Sequence, residues 1–226
     1  CVSTQAGCSL DCRFCATATM GFQRNLTAGE IVGQVMQARR LSGRRVTNLV
    51  YMGMGEPLLN YENVMKSIEI ISVGLKITAR RITVSTAGWA PRIRQMADEG
   101  RKVKLAISLH SLDEETRTAL MPVNAKFGLG ELVDAAAYYY RKTRQRITFE
   151  YILFDGRNDR DEDVARLVKL SKSVPCKFNI IPFHSIGFTH PAGLASELRP
   201  SPARRMEAFV RQLRDAHITV FVRSSA

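Results

Sequence analysis

The sequence predicts an α/β protein of six β-α units and a closing seventh strand, arranged as a βα barrel or a doubly wound sheet. Short β-branched runs alternate with longer amphipathic ones from end to end, with no linker-like interruption. The short runs are almost continuously apolar, as strands buried on both faces of a parallel sheet must be. Dividing 226 residues among six units leaves about 38 residues each, enough for one strand, one helix and two connections.

In order, extended segments are expected at 1–3 (CVS), 46–52 (VTNLVYM), 81–86 (RITVST), 103–109 (VKLAISL), 147–153 (ITFEYIL), 176–183 (CKFNIIPF) and 218–224 (ITVFVRS). Helices are expected between them at 28–41, 61–75, 90–100, 130–144, 161–173 and 202–216. The first helix opens on Thr27 with Glu30 three residues later, the spacing of a capping box. Asn60 stands where the second would be capped, and Ser201 before Pro202 fits an N-cap followed by a first-turn proline.

Composition narrows the class of protein. With 45% hydrophobic residues, 15 Gly and 8 Pro, a disordered chain is excluded. No run approaches about 18 apolar residues, so neither a membrane span nor a secretory segment is expected, and the chain reads as cytoplasmic. Lys and Arg number 33 against 21 Asp and Glu, a net charge of +12. Such an excess fits a polyanion, nucleic acid before membrane, while scattered charge on a soluble domain is the competing reading. Because many of the basic residues fall at expected helix C-termini, where cations complement the macrodipole, a solvated surface covers about half of them. The chain opens on Cys1 rather than Met and ends within an expected strand, so it reads as part of a longer one.

In either architecture a ligand lies at the carboxyl ends of the strands. Polar and glycine-rich loops gather there: GCSLDC, GMGEP, STAG, SLHS and HSIG follow five of the expected strands. Cys8, Cys12 and Cys15, in the spacing C-x3-C-x2-C, place three thiols on one short loop. Three protein ligands leave a coordination position open, which suits a [4Fe-4S] cluster with one free iron. A structural zinc ion using Cys1 as fourth ligand is the alternative.

This loop, with Phe14 just before its last cysteine, resembles that of the radical S-adenosylmethionine (SAM) enzymes. Over the whole chain, CVSTQAGCSLDCRFCATATMGFQRNLTAGEIVGQV, MGMGEPLLN, RRITVSTAGW, AISLHS, MPVN and FVRSS resemble the RlmN and Cfr branch, the ribosomal and transfer RNA adenine methyltransferases. Pro57 is similar to members that methylate carbon 2 of adenine rather than carbon 8.

The resemblance implies a partial (β/α)6 barrel of the radical SAM type, with residues 1–226 as its core domain. It implies one [4Fe-4S] cluster on Cys8, Cys12 and Cys15, and SAM bound by Gly55, Glu56, Ser85, Ser108, Leu109 and His110. His184 stands where the family has a further SAM-contacting Asn, so it is expected among the SAM-binding residues, with a place on the RNA-binding rim as the alternative. Two SAM are used per turnover, through a methyl-cysteine and a protein-RNA crosslink that Cys1 resolves by forming a disulfide. The methyl-carrying cysteine, expected after VRSS, and the family's N-terminal RNA-binding extension do not occur within the 226 residues. The implied partners are ribosomal RNA, tRNA and a reductant such as flavodoxin, acting on a monomer. Arg24 and Asn25 stand where they could meet a splayed-out base. Another radical SAM reaction, of activase or mutase type, shares the cluster loop without calling for Cys1 or the basic surface. A zinc-stabilised RNA-binding module explains charge and cysteines without the polar loops.

Overall fold

The computed structural model describes residues 1–223. Strands β1 (Gln5–Gly7) and β2 (Phe22–Asn25) form an antiparallel pair beside a six-stranded parallel sheet. That sheet holds β3 (Leu49–Tyr51), β4 (Ile82–Thr86), β5 (Lys104–Ser108), β6 (Ile147–Leu153), β7 (Cys176–Pro182) and β8 (Val220–Val222), in chain order. The helices are α1 (Ala28–Ser42), α2 (Tyr61–Gly74), α3 (Ala90–Asp98), α4 (Glu114–Leu120), α5 (Leu129–Thr143), α6 (Asp161–Ser173), α7 (Leu194–Glu197) and α8 (Ala203–Asp215). Right-handed crossovers between successive neighbours put the connecting helices on one face of the sheet. The architecture is a partial barrel. Among the described residues β3 and β8 do not pair, so the final strand ends the sheet without closing it.

Strand alternation divides the labour between the two faces. Ile107, Phe149 and Phe178 lie in one cross-strand row and are fully buried, with Phe149 stacked on Phe178 at 5.7 Å. Tyr151, two residues on from Phe149, stacks on Phe209 of α8 at 5.8 Å. The next row, Ser108, Glu150 and Asn179, turns to the other face. The helices therefore cover an apolar surface while the concave surface is polar.

The first segment follows the expected path without the expected regularity. Val2 N–H donates to Val50 O (3.0 Å), Gly53 N–H to Val2 O (3.0 Å) and Thr4 N–H to Met54 O (2.9 Å), so residues 2–4 run beside β3, and the assigned strand starts only at Gln5. The approach leaves no room for a side chain at Gly53, where a Cβ would lie 2.6 Å from Ser3 Oγ and 2.7 Å from Val2 O.

Expected and observed helices agree to within two residues at each end, and the Thr27–Glu30 capping box forms. The other two caps do not. Asn60 Nδ2 instead donates to Thr4 O and Leu26 O, both at 2.7 Å, because the first segment and the loop before α1 need those carbonyls satisfied. Ser201 donates to the Asp159 carboxylate rather than capping α8. Helix α4, capped by Asp113 through Thr116 N–H (2.9 Å), went unpredicted, since two turns are too short to show a period. The last expected strand, 218–224, is regular only over Val220–Val222, and Ser224 lies outside the described residues. Among the described residues no helix is long and apolar enough to cross a membrane.

Asn60→Ala removes the amide that serves both carbonyls, and Leu26 O loses its donor while Thr4 O keeps the Leu26 N–H, so it should lower the unfolding free energy by about 1 to 2 kcal/mol. Urea denaturation checks this, and a change below about 0.5 kcal/mol would contradict the role given to Asn60.

Candidate cofactor site

A cleft of about 240 Å³ opens at the carboxyl ends of the strands. Its lining includes Cys8, Cys12 and Cys15 on one side, Gly55, Glu56 and Ser85 on the next, and Ser108, His110 and Glu150 beyond. The cysteine loop is held at several points. Cys8 N–H donates to Gly21 O (3.0 Å), Cys15 N–H to Cys12 O (3.1 Å), and Arg13 N–H to Leu120 O at the end of α4 (2.9 Å). Leu10, Cys12 and Phe14 pack on an apolar cluster that includes Met121, Phe154 and Phe183. Phe14 meets the His110 ring edge-on at 4.7 Å. The aromatic residue before the third cysteine is thus the anchor that seats the loop.

The thiols sense one another electrostatically. Burial pushes Cys8 and Cys12 up, Cys12 strongly, and the other thiols and Glu56 push in the same direction. Yet among the described residues no three His, Cys, Asp or Glu side chains gather tightly enough to share one metal ion. A single zinc ion must lie about 2.3 Å from every thiolate, whereas a cubane offers each thiolate its own iron and tolerates a wider triangle. Three thiols at one wall of the cleft fit a group that offers each thiolate its own iron.

Arg117 strengthens that fit, and the sequence reading did not single it out. Its guanidinium is completely buried and has no carboxylate partner among the described ion pairs. Instead Nε donates to Leu109 O (3.0 Å), Nη1 to Asn124 Oδ1, and Nη2 to Ala87 O (2.8 Å) and Ser108 O (3.1 Å). Burial brings its pKa down to about 10, partly offset by Cys12 and Glu114, so it stays charged at neutral pH. A sealed cation beside Cys12 suits an anionic group on the three thiols.

Three further groups define the chemistry. Glu56 is buried with both oxygens engaged, one by Leu58 N–H (3.0 Å) and one by Ala87 N–H (2.7 Å), while its own N–H donates to Gln5 Oε1 (2.9 Å). Burial raises its carboxyl to about 7 against those hydrogen bonds. It clamps the loops after β3 and β4. A Cβ on Gly55, at φ +89°, would strike the Gln5 side chain at 2.4 Å, so this glycine also answers to the first segment. His110, in a left-handed conformation (φ 55°), accepts Ile152 N–H at Nδ1 (3.0 Å), which leaves its ring proton on Nε2. Burial, then Arg117, lowers its pKa to about 3. Glu150 is the outlier: Oε1 accepts from Asn179 (2.9 Å), but Oε2 is buried without a hydrogen-bond partner, and the pKa is raised by burial. Its two rowmates, Ser108 and Asn179, flank it on the concave face. An isolated acceptor at the wall of a cleft is a place for a ligand donor.

Of the residues expected at the site, the cleft gathers Cys8, Cys12, Cys15, Gly55, Glu56, Ser85, Ser108 and His110. Leu109 lies fully buried behind the wall, its N–H bonded to Glu150 O (3.0 Å). His184 is exposed and is not among the residues lining the cleft. Cys1 is exposed beside the cleft's first segment; all five cysteines are free, and Cys176 is buried in β7. Arg24 pairs with Glu30 at the exposed surface (2.8 and 3.0 Å), and Asn25 accepts from Gln5. Glu150 and Arg117 had one faint signal each, a charge inside an apolar strand and a basic residue just ahead of MPVN.

The Radical SAM superfamily model matches residues 2–168. A probable dual-specificity RNA methyltransferase RlmN from Clostridium perfringens (strain SM101 / Type A) is 45% identical over 225 residues, covering 99% of this chain and 63% of its own length. The corresponding protein of Flavobacterium psychrophilum is 46% identical over 231 residues, covering 100% and 65%. The chain therefore spans just under two thirds of these relatives. Among solved structures, a radical SAM methyltransferase from Sphaerobacter thermophilus superposes with a TM-score of 0.90 at 42% identity, over 99% of this chain and 65% of that one. SAM-bound SuiB from Streptococcus suis, at 15% identity and a TM-score of 0.70 over 100% and 50%, shares the fold.

The two perturbed groups give the metal-free protein a defined pH response. His110 is depressed from 6.5 to about 3, so its contribution is present above pH 6.5 and lost as pH falls toward 3. Glu56, raised from 4.5 to about 7, acts oppositely, its contribution lost as pH rises through 7. The two offset each other between pH 4.5 and 6.5, and below that His110 is no longer opposed by Glu56. Between pH 4.5 and 3.5, His110→Gln should reduce the slope of unfolding free energy against pH by about 1.4 kcal/mol per unit, read by urea titration. Parallel slopes for the two proteins would refute the buried neutral imidazole.

Proposed function

The chain belongs to the radical SAM superfamily, and on that premise we propose that it is the core of an enzyme methylating carbon 2 of adenine in ribosomal RNA and tRNA. The observation that carries the reading is the three-thiol loop over a sealed guanidinium. It occurs in a chain about 45% identical, over nearly all its length, to proteins named as dual-specificity RNA methyltransferases. Residues 1–226 are the core domain of that activity, working in the cytoplasm with an external one-electron donor of flavodoxin type.

Cys8, Cys12 and Cys15 would hold a [4Fe-4S] cluster as thiolates, releasing their protons on loading. With SAM on its open iron, that cluster supplies the reductive cleavage needed to abstract hydrogen from an unactivated methyl group. The rest falls to the protein. The backbone of Gly53 to Gly55, fixed by the first segment, presents polar groups to the methionine end of the ligand, with Glu56 holding the loop rather than reaching out. Ser85 and Ser108 offer hydroxyls from β4 and β5, and His110 a neutral Nε2–H. Glu150 Oε2 accepts a donor from the nucleoside end. Leu10, Phe14, Met121 and Ile152 line the cleft and limit water.

Cys1 acts outside the cleft. As a thiolate it attacks the sulfur that joins protein to RNA, the carbon leaves with the bonding electrons, and a disulfide results. Its exposure fits a group that must meet a partner sulfur and the base together. The likeness of Pro57 to the carbon-2 enzymes supports the choice of target carbon.

Anaerobic reconstitution with iron and sulfide should give a reduced-state electron paramagnetic resonance signal that shifts on adding SAM, and Cys12→Ala should abolish it. One tightly held zinc and no such signal would overturn the reading. Glu150→Gln should load a cluster normally yet bind SAM about tenfold more weakly, the value of one hydrogen bond to a charged acceptor. Equal affinities by equilibrium dialysis would remove Glu150 from the site.

A further inference from the structure

The net charge of the chain sits at one end of the barrel, and it is the end away from the cleft. All six strands of the sheet are parallel and carry the cleft at their carboxyl ends, so every connection from a helix back into a strand lies at the opposite end. Taken with the C-terminal turn of the helix before each and the first residues of the strand after it, those connections span residues 39–48, 74–81, 98–104, 141–146, 169–177 and 211–219. They hold 19 of the 33 Lys and Arg but only 3 of the 21 Asp and Glu. The remaining three quarters of the chain is therefore net acidic, with 14 basic against 18 acidic residues.

Macrodipole complementarity accounts for only part of this: it acts within a helix's last turn, where Arg39, Arg40, Arg141, Lys142, Lys172 and Arg214 lie, whereas Arg44, Arg45, Lys76, Arg101, Lys102, Arg144 and Arg146 stand beyond the helices. Nor are most of these charges neutralised: among the described residues Arg101 pairs with Glu99 and Lys142 with Asp98, while Arg39, Arg40, Arg44 and Arg45 share an open groove at the end of α1 with no carboxylate partner. Tyr138 and Tyr140 lie among the cations, with Lys142 and Arg141 over the first ring and Arg144 over the second. Unpaired cations interleaved with aromatic rings form a surface for phosphates and unstacked bases.

We propose that this basic end is a second RNA-docking surface, which grips phosphates while the target nucleotide is presented at the cleft on the opposite end. The proposal rests on RNA being the substrate. The two ends are close enough to be engaged together: α1, of 15 residues, spans about 22 Å, less than one turn of a B-form duplex at about 34 Å. The basic far end also orients the molecule, because phosphates are drawn to it.

The test compares two triple variants by fluorescence anisotropy on unfractionated tRNA, from 50 to 200 mM salt. Arg40→Gln/Arg44→Gln/Arg45→Gln should bind at least tenfold more weakly at 100 mM salt and lower the slope of log affinity against log salt by about 2 to 3. The control Arg157→Gln/Arg199→Gln/Arg204→Gln removes equal charge from the cleft end and should change affinity less than threefold. In the wild type, tRNA should protect Lys76, Lys102 and Lys142 from acetylation but leave Lys126 open. Equal losses in the two triples, or an unchanged far-end triple with no protection of those lysines, would overturn the placement and point to a protein partner or bare solvent there. No measurable tRNA binding by the wild type would instead remove the RNA-substrate reading itself, and the cluster signal with SAM reads independently of both.

Discussion

A guanidinium sealed away from water without a carboxylate is the constraint on which the site depends. Arg117 reaches back from α4 and spends its donors on Ala87 O after β4, on Ser108 O and Leu109 O at the end of β5, and on Asn124 beyond α4. Removing it would take a donor from each of four acceptors at the rim of the barrel, of which Leu109 O keeps the Ser111 N–H. A buried cation held only by neutral oxygens is itself costly, so the fold gains from an anion within its field. Cys12 supplies that place, and its thiol, pushed up by burial, becomes a thiolate only when something binds it. Loop positioning and cluster affinity therefore depend on the same side chain.

The first segment works in the same way from the other side. Residues 2–5 pass so close to the GMGEP loop that side chains at Gly53 and Gly55 are excluded by the protein itself. Gln5 then joins the two loops, accepting from Glu56 N–H and donating to Asn25. The cysteine loop that follows inherits this alignment, with Phe14 locking it against His110 and Phe154. Glycines that read as room for a ligand are first of all room for the chain.

How much of this was legible in the sequence depended on the range of the interaction. Helix limits and the Thr27–Glu30 box are local, and they emerged nearly as expected. So did the three cysteines, because their spacing within eight residues carries the chemistry. Asn60 and Ser201 look like caps locally but are claimed by partners 34 to 56 and 42 positions away, respectively. His184 is expected at the site from its place after the strand-ending IIPF, yet its side chain is exposed, and exposure is set by the fold rather than by local sequence. Arg117 and Glu150 were the hardest to see, since a charge becomes informative only when its burial is known.

The sheet explains why one small scaffold can carry such costly groups. Period-two alternation lets Phe149 and Tyr151 anchor β6 under the helices while Glu150, between them, faces the concave side. Its neighbours along the strand are completely covered, so the strand does not move to relieve the unpaired oxygen. The same reasoning covers His110, whose ring is fixed by the Ile152 N–H two residues farther along β6 and is kept neutral by its burial. Apolar packing on the convex face thus holds polar groups in place on the concave face, and a ligand donor that meets Glu150 Oε2 supplies the hydrogen bond that oxygen lacks within the protein. Binding strength at such a site comes from groups the fold has already desolvated, which is why the most informative residues are those whose hydrogen bonds are incomplete.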